Sequence, residues 1–326
     1  MFSASIRKSL ACAVILAALP TAAGAITLQS VTTIHYPNSM FTLVKGVNDY
    51  GELVGEYWTP LAGGKHATHA FYYEGSTYHN IDRINGNLNE AWGINNAGLI
   101  TAGGIFGGSY SGYYGVPNNY TNYTVPGATF SELFDVNDNN VMVGGHNASG
   151  TYRPFIYDLG HDAYTDINVP WGNRSAAVGI NNNNQVVGSY WDTSDFIQHG
   201  YLFDGTGYTQ IDYPSATSTE AMGINDFGQV VGYYVNASSE THGYLYDVYS
   251  EEFTTIDIPL VDGNGTRIYD ISNNGMLVGG YYDASGVHHG FIATLVPLPP
   301  AVLLFGTGLA GLFGMTGIRK GRARQA

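Results

Sequence analysis

The chain has 326 residues, of which 44 are Gly, 13% are aromatic and only 12% are charged. All 26 Asp and Glu lie between residues 26 and 295, where six Lys and Arg accompany them. A body with a net charge of about −20 repels phosphate backbones, which excludes nucleic acid as an expected partner. Cys12 is the only cysteine and precedes this body, so disulfides are not expected to stabilise it.

Residues 1–25 have the features of a secretory signal peptide. Two basic residues precede an apolar stretch at 10–19, and Ala23-Gly24-Ala25 provides the small residues of a cleavage site. We therefore expect an N-terminal signal helix, with signal peptidase as the processing partner and Ala23 and Ala25 at the processing site. A short membrane anchor is the alternative.

Residues 26–295 contain one ten-residue unit six times. The units start near residues 46, 93, 135, 179, 223 and 270, and they read GVNDYGELVG, GINNAGLITA, DVNDNNVMVG, GINNNNQVVG, GINDFGQVVG and DISNNGMLVG. A period of 42 to 47 residues built from short strands is typical of a propeller, in which each small sheet buries its faces against its neighbours. The expected fold class is therefore all-β, a six-bladed β-propeller, and a linear solenoid is the alternative.

Each unit has the pattern of a tight β-hairpin. The fourth position is always Asp or Asn, and the sixth is always Gly or Asn, the residues that adopt positive φ most readily. A third strand signal follows, such as HGYLF from His199, and then a fourth, such as YTQIDYP from Tyr208. Four strands per repeat form one propeller blade.

The sixth repeat lacks a fourth strand of its own, and a matching strand occurs at the other end of the body. Residues 31–37, VTTIHYP, align position for position with FTTIDIP at 253–259. We expect this N-terminal strand to close the last blade, because joining the two ends removes exposed strand edges.

Four of the six third strands begin with His: His69, His199, His242 and His289. One interpretation is a ring of metal-binding imidazoles. The other is that each histidine bonds locally within its own blade, because third strands of different blades lie far apart. DVNDNN at Asp135 resembles a calcium loop in composition but lacks the closing Glu, so no metal ligand is assigned.

Polar residues stand three positions before four of the units: Glu90, Glu132, Glu220 and Arg267. The innermost strand of a blade comes first, so we expect these side chains to meet at the mouth of the central channel. They form a candidate rim for a ligand or a divalent cation, and paired carboxylates could also act as acid and base on a sugar. A solvated rim without function is the alternative. No catalytic residue is assigned, and no cofactor is expected apart from such a cation.

Residues 296–326 differ from the body in composition. VPLPP at 296–300 is followed by 18 uncharged residues, 301–318, a length that crosses a membrane core as a helix. Arg319 and Lys320 begin a basic tail that matches the cytoplasmic bias of positive charge. These residues predict a C-terminal transmembrane helix.

This segment resembles the PEP-CTERM sorting signal of Gram-negative bacteria. The resemblance implies an exosortase-type processing enzyme that removes the tail, and export associated with exopolysaccharide and biofilm. The processing residues it implies are Val296, Pro297, Pro299, Arg319 and Lys320. Leu298 stands where the name-giving Glu would be. A permanent membrane anchor is the alternative.

The body resembles the extracellular HAF repeat proteins. His69-Ala70-Phe71 and the stretch GINDFGQVVG at 223–232 carry this resemblance. It implies an exported repeat protein and no established reaction.

Two functions are therefore expected. The first is a non-enzymatic surface or extracellular-matrix protein whose propeller binds glycan or another envelope component; the 26 Tyr residues suit stacking on sugars. The alternative is a secreted glycan-active enzyme that uses the channel-mouth carboxylates. The expected location is the envelope or the matrix after tail processing, or the inner membrane if the tail is retained.

Overall fold

The structure is a computed structural model, and it describes residues 28–83, 88–106, 109–148, 150–259 and 265–295. All regular secondary structure in these ranges is β, in six four-stranded antiparallel sheets. The predicted signal peptide and the C-terminal segment with its apolar stretch at 301–318 lie outside the described residues. Within the described ranges there is no helix with the length and apolar character needed to span a membrane.

The first three blades each follow the chain from the innermost strand outward. Blade 1 contains β2 (Phe41–Val47), β3 (Leu53–Pro60), β4 (His66–Glu74) and β5 (Thr77–Asn80). Blade 2 contains β6 (Asn89–Ile94), β7 (Ile100–Phe106), β8 (Ser109–Val116) and β9 (Asn119–Tyr123). Blade 3 contains β10 (Ser131–Val136), β11 (Val141–His146), β12 (Arg153–Asp158) and β13 (Ala163–Asp166).

Blades 4 and 5 repeat this order, and blade 6 combines the two ends of the body. Blade 4 contains β14 (Gly172–Ile180), β15 (Val186–Asp192), β16 (Gln198–Phe203) and β17 (Tyr208–Ile211). Blade 5 contains β18 (Ser218–Ile224), β19 (Gln229–Val235), β20 (Thr241–Asp247) and β21 (Glu252–Ile256). Blade 6 contains β22 (Arg267–Ile271), β23 (Met276–Tyr282), β24 (His288–Leu295) and β1 (Leu28–Ile34).

The six-bladed propeller predicted from the repeats is confirmed, including its closure by the N-terminal strand. β1 pairs antiparallel with β24, with Thr33 opposite Phe291 and Ile34 opposite Gly290. Ile34 is buried in one cluster with Val44 of blade 1. The innermost strands contact one another around a closed ring, so the linear solenoid is excluded.

The turn between the first and second strand of each blade has the backbone that the repeat predicts. The sixth position of every unit has positive φ: Gly51, Gly98, Asn140, Asn184, Gly228 and Gly275. At the third position of five units a buried Asn bonds the turn of its own blade and donates from Nδ2 to the backbone carbonyl of the next blade, over 2.9 to 3.4 Å. One side chain therefore fixes a turn and attaches it to its neighbour.

The fourth positions form a closed ring of hydrogen bonds, here called the turn ring. Its members alternate between carboxylate and amide: Asp49, Asn96, Asp138, Asn182, Asp226 and Asn273. Each backbone N–H donates to Oδ1 of the next member, over 2.7 to 2.9 Å, and the last donates back to the first. Each Asn Nδ2 also donates to the carboxylates on both sides, over 2.8 to 3.3 Å.

A β-bulge in every innermost strand controls what fills the channel. The register of the first strand pair shifts in all six blades at the residue just before the unit. A bulge re-aims the side chain of the extra residue. The six bulged residues line one cavity on the propeller axis: Lys45, Trp92, Phe134, Val178, Met222 and Tyr269. Large side chains therefore narrow the channel below its mouth.

Candidate functional site

The two ends of the channel differ in character. One end, the turn face, carries the turn ring, and each of its carboxylates accepts three hydrogen bonds from the neighbouring blades. At the other end, here called the funnel, the innermost strands begin. The side chains that stand three residues before each unit lie at this end, together with several tyrosines.

Lys45 lies at the base of the funnel and is buried. Its Nζ is 2.9 Å from carboxylate oxygens of both Glu56 and Glu90, and it lies 3.6 Å from the centre of the Trp92 ring. Burial alone would lower the pKa of Lys45, but the two carboxylates outweigh this and raise it. Lys45 therefore stays charged and neutralises one of the two carboxylates at all ordinary pH values.

Glu132 is a funnel carboxylate with a perturbed pKa. Its blade provides the Tyr152 hydroxyl, which donates a hydrogen bond to it. Burial raises the pKa of Glu132 to about 7, an effect that the Tyr152 bond opposes and the charge of Glu90 supports. Of the predicted rim residues, Glu90 and Glu132 therefore interact electrostatically across a blade boundary.

Glu220 and Arg267 form a second neighbouring pair. Burial raises the pKa of Glu220, against the opposing effects of the Tyr233 hydroxyl, the Arg267 charge and the Gln198 amide. The guanidinium of Arg267 lies over two aromatic rings, 5.2 Å from the centre of Tyr233 and 5.9 Å from that of Tyr282. Each of these predicted rim residues thus has partners from the adjoining blade.

Tyr110 and Tyr152 are functional candidates that the sequence reasoning missed. Their hydroxyls lie where a Cβ on Gly103 or Gly145 would be, so only glycine at these two positions leaves room for the rings. The paired glycines at 103–104 and 144–145, inside otherwise regular strands, are the sequence signal that could have found them.

Aromatic side chains surround the polar groups of the funnel. Phe41 stacks on Trp58 at 4.2 Å and on His288 at 4.5 Å, and Tyr110 stacks on Phe130 at 5.1 Å. Two further rings, Trp191 and Tyr282, lie at strand ends near this face with about 40% of their surface exposed. The funnel therefore offers ring faces beside hydrogen-bonding groups.

The four third-strand histidines bond within their own blades, as the local interpretation requires. Their carboxylate partners lie 2.5 to 3.0 Å away: Asp82 for His69, Asp212 for His199, Asp257 for His242 and Asp283 for His289. In the described ranges, one group of three side chains has ligand atoms close enough together to hold a metal ion. The group consists of Asp192, Asp195 and His199. Its carboxylates already accept backbone and hydroxyl hydrogen bonds.

Two half-buried carboxylates near the axis have structural partners. Asp135 and Asp270 replace the first Gly of their units, and each accepts the backbone N–H of the next blade, from Ile180 and Val47 respectively, over 2.8 to 2.9 Å. Burial raises the pKa of Asp270 to about 6. These bonds connect blades 3 and 4 and blades 6 and 1, so the DVNDNN stretch at Asp135 serves the fold.

Comparison with solved structures identifies similar propellers. The chain superposes on TolB from Acinetobacter baumannii with a TM-score of 0.54 and 8% identity, covering 76% of this chain and 64% of that one, so it spans less than two thirds of that protein. A putative TolB from Agrobacterium tumefaciens gives a TM-score of 0.50 at 10% identity, with 78% and 91% covered. These identities show the fold alone. No protein-family model matches the chain, and no curated protein does.

The raised pKa of Glu132 gives a testable dependence of stability on pH. The folded protein holds this proton more tightly than the unfolded chain, where a Glu has a pKa of about 4.3. The resulting stability is present below that value and is lost as the pH rises through about 7. Glu132→Gln keeps an acceptor for Tyr152 without the charge. We expect it to raise the free energy of unfolding by about 1 to 3 kcal/mol at pH 8 and by little at pH 4.

Denaturant unfolding of wild type and variant across this pH range measures the effect. Glu252→Gln, which removes an exposed carboxylate from blade 5, is the matched control and should leave the profile unchanged. A Glu132→Gln profile parallel to that of wild type would contradict the assignment.

Proposed function

We propose that this protein is a non-enzymatic binding scaffold of the cell surface or extracellular matrix, and that its funnel binds glycan. The observation that carries the proposal is the funnel itself. A rigid ring of blades places half-buried carboxylates, tyrosine hydroxyls and exposed aromatic rings at one end of a channel that large side chains narrow below it.

These groups match the chemistry of a sugar. The C–H faces of a pyranose pack on exposed aromatic rings such as Trp191 and Tyr282, while its hydroxyls both donate and accept hydrogen bonds. Glu132 and Glu220 provide acceptors, and Tyr152 and Tyr233 provide hydroxyls beside them. Sites of this kind gain specificity from a few placed polar groups among apolar ones.

The carboxylate arrangement supports binding over catalysis. Glu90 is ion-paired with Lys45, and Glu132 accepts a hydrogen bond from Tyr152, so both already have protein partners. One observation favours the enzymatic alternative: Glu132, with a pKa near 7, lies close enough to Glu90 to be affected by its charge. That combination resembles the general acid of a glycosidase beside an ionised carboxylate.

A glycan array carrying neutral and acidic bacterial oligosaccharides tests the function. We expect binding by the purified full chain with micromolar affinity, weakened about 5- to 30-fold by Trp191→Ala, because a lost stacking face removes about 1 to 2 kcal/mol. Phe227→Ala removes an exposed ring from the turn face, at the opposite end of the channel, and it is the matched control.

Mass spectrometry of the recovered oligosaccharide separates the two functions. Intact ligand supports the scaffold. Shortened ligand, lost in Glu132→Gln, would establish the glycan-active enzyme instead. The absence of any binding across the array would contradict both.

We also propose that the chain is exported and that its C-terminal segment is a processed sorting signal. The support is the sequence at 1–25 and 296–326, with a signal peptidase and an exosortase-type enzyme as the processing partners. Terminal-peptide mass spectrometry of protein from separated membrane and released fractions tests this. We expect a released chain that starts near residue 26 and ends near residue 297. A membrane-bound chain that retains 319–324 would show a permanent anchor and contradict the sorting signal.

A further inference from the structure

Arg267 is a half-buried cation of the funnel without an ion-pair partner among the described residues. Among the described residues, no carboxylate oxygen lies within 4.0 Å of its guanidinium, although acidic residues far outnumber basic ones. Lys45, only one blade away, has two carboxylate partners. Arg153 and Arg174 also lack carboxylate partners, but both are exposed to solvent.

One donor of Arg267 has no acceptor. Its Nε is buried and forms no hydrogen bond with the described residues. A buried donor without an acceptor is unfavourable, and at a charged group the penalty is larger. The fold therefore leaves a directional, positively charged donor unsatisfied at the funnel.

The surroundings of Arg267 hold it in one orientation. The rings of Tyr233 and Tyr282 lie on its guanidinium at 5.2 and 5.9 Å, one from blade 5 and one from blade 6. An acidic neighbour, Glu220, is engaged by the Tyr233 hydroxyl and the Gln198 amide. The Tyr282 hydroxyl accepts a hydrogen bond from the Arg267 side chain, and Tyr269 is a further titratable neighbour. His288 has its pKa lowered to about 4 by burial and by Arg267, so it is neutral.

We propose that Arg267 binds the carboxylate of an acidic sugar in the funnel. A guanidinium fixed by stacking presents a planar fork of N–H donors, which matches a carboxylate in a bidentate pair. The Tyr282 ring, 39% exposed, lies beside it to pack on the sugar face. The strong negative charge of the body disfavours densely charged polyanions, so the ligand class is a glycan with isolated carboxylates, of the uronic acid type.

This inference rests on the proposed function and names its ligand class. The test uses the full chain and two matched probes, a glucuronic acid-containing tetrasaccharide and its carboxyl-reduced form, in which each carboxylate is a primary alcohol. We expect titration calorimetry of wild type to show at least 10-fold tighter binding of the acidic probe. We also expect Arg267→Gln to abolish that preference while leaving the affinity for the reduced probe within 2-fold.

Two further variants keep the result interpretable. Arg153→Gln makes the same chemical change at an exposed position in blade 3 and should preserve the preference. Arg267→Lys keeps the charge but lacks the planar fork, and it should lose most of the preference. Thermal unfolding of each variant establishes that it is folded.

The outcomes separate the inference from the proposed function. Equal binding of both probes by wild type would overturn the role of Arg267 and leave a glycan-binding funnel. A preference that survives in folded Arg267→Gln would also overturn it. If wild type binds neither these probes nor any glycan of the array, both proposals fail.

Discussion

The fold depends on one interaction repeated around the axis, in which the turn of each blade donates its backbone N–H to a side chain of the next. The alternation of Asp and Asn makes the turn ring complete. An Asn amide has two hydrogens and lies between two carboxylates, so every donor has an acceptor. Six carboxylates would repel one another. In a closed circle, strict alternation requires an even number of blades, and six blades satisfy this.

This ring fixes the innermost strands, and the strands fix the site. Their bulges turn Lys45, Trp92 and Tyr269 into the channel and narrow it below the funnel. Burial there has an electrostatic consequence. Carboxylates such as Glu132 and Glu220 are held in a poorly solvated environment, which raises the pKa of both. The turn ring and the polar funnel thus lie at opposite ends of the same six innermost strands.

The fold could be predicted from the sequence almost completely, because each repeat carries its own turn and strand signals. The match between residues 31–37 and 253–259 was sufficient to predict the closure. Local bonding of the third-strand histidines followed from their distance from the axis. The sequence also indicated Glu90 and Glu132 as candidates, since position along an innermost strand determines height in the channel.

The composition of the funnel could not be predicted in full. A bulge moves one residue out of the alternation of inward and outward side chains, and the repeat sequence contains no signal for the bulge. Lys45 was therefore not predicted as the partner of Glu56 and Glu90. Tyr110 lies in the third strand of blade 2 and Tyr152 directly precedes the third strand of blade 3. Both reach inward only because the glycines beneath them leave space. The alternation of the turn ring was visible in the sequence, but its meaning depends on contacts between residues more than forty positions apart.

Native-state hydrogen exchange of the six turn-ring amides tests the closed ring most directly. These N–H groups lie in short surface turns, where exchange is ordinarily fast. In a closed ring they should all be protected to the same degree and exchange through global unfolding, while the outer turn at residues 75–76 exchanges quickly. Fast exchange of the six amides, or protection that declines from blade 3 towards blades 6 and 1, would contradict the closed ring and indicate an array that opens at its seam.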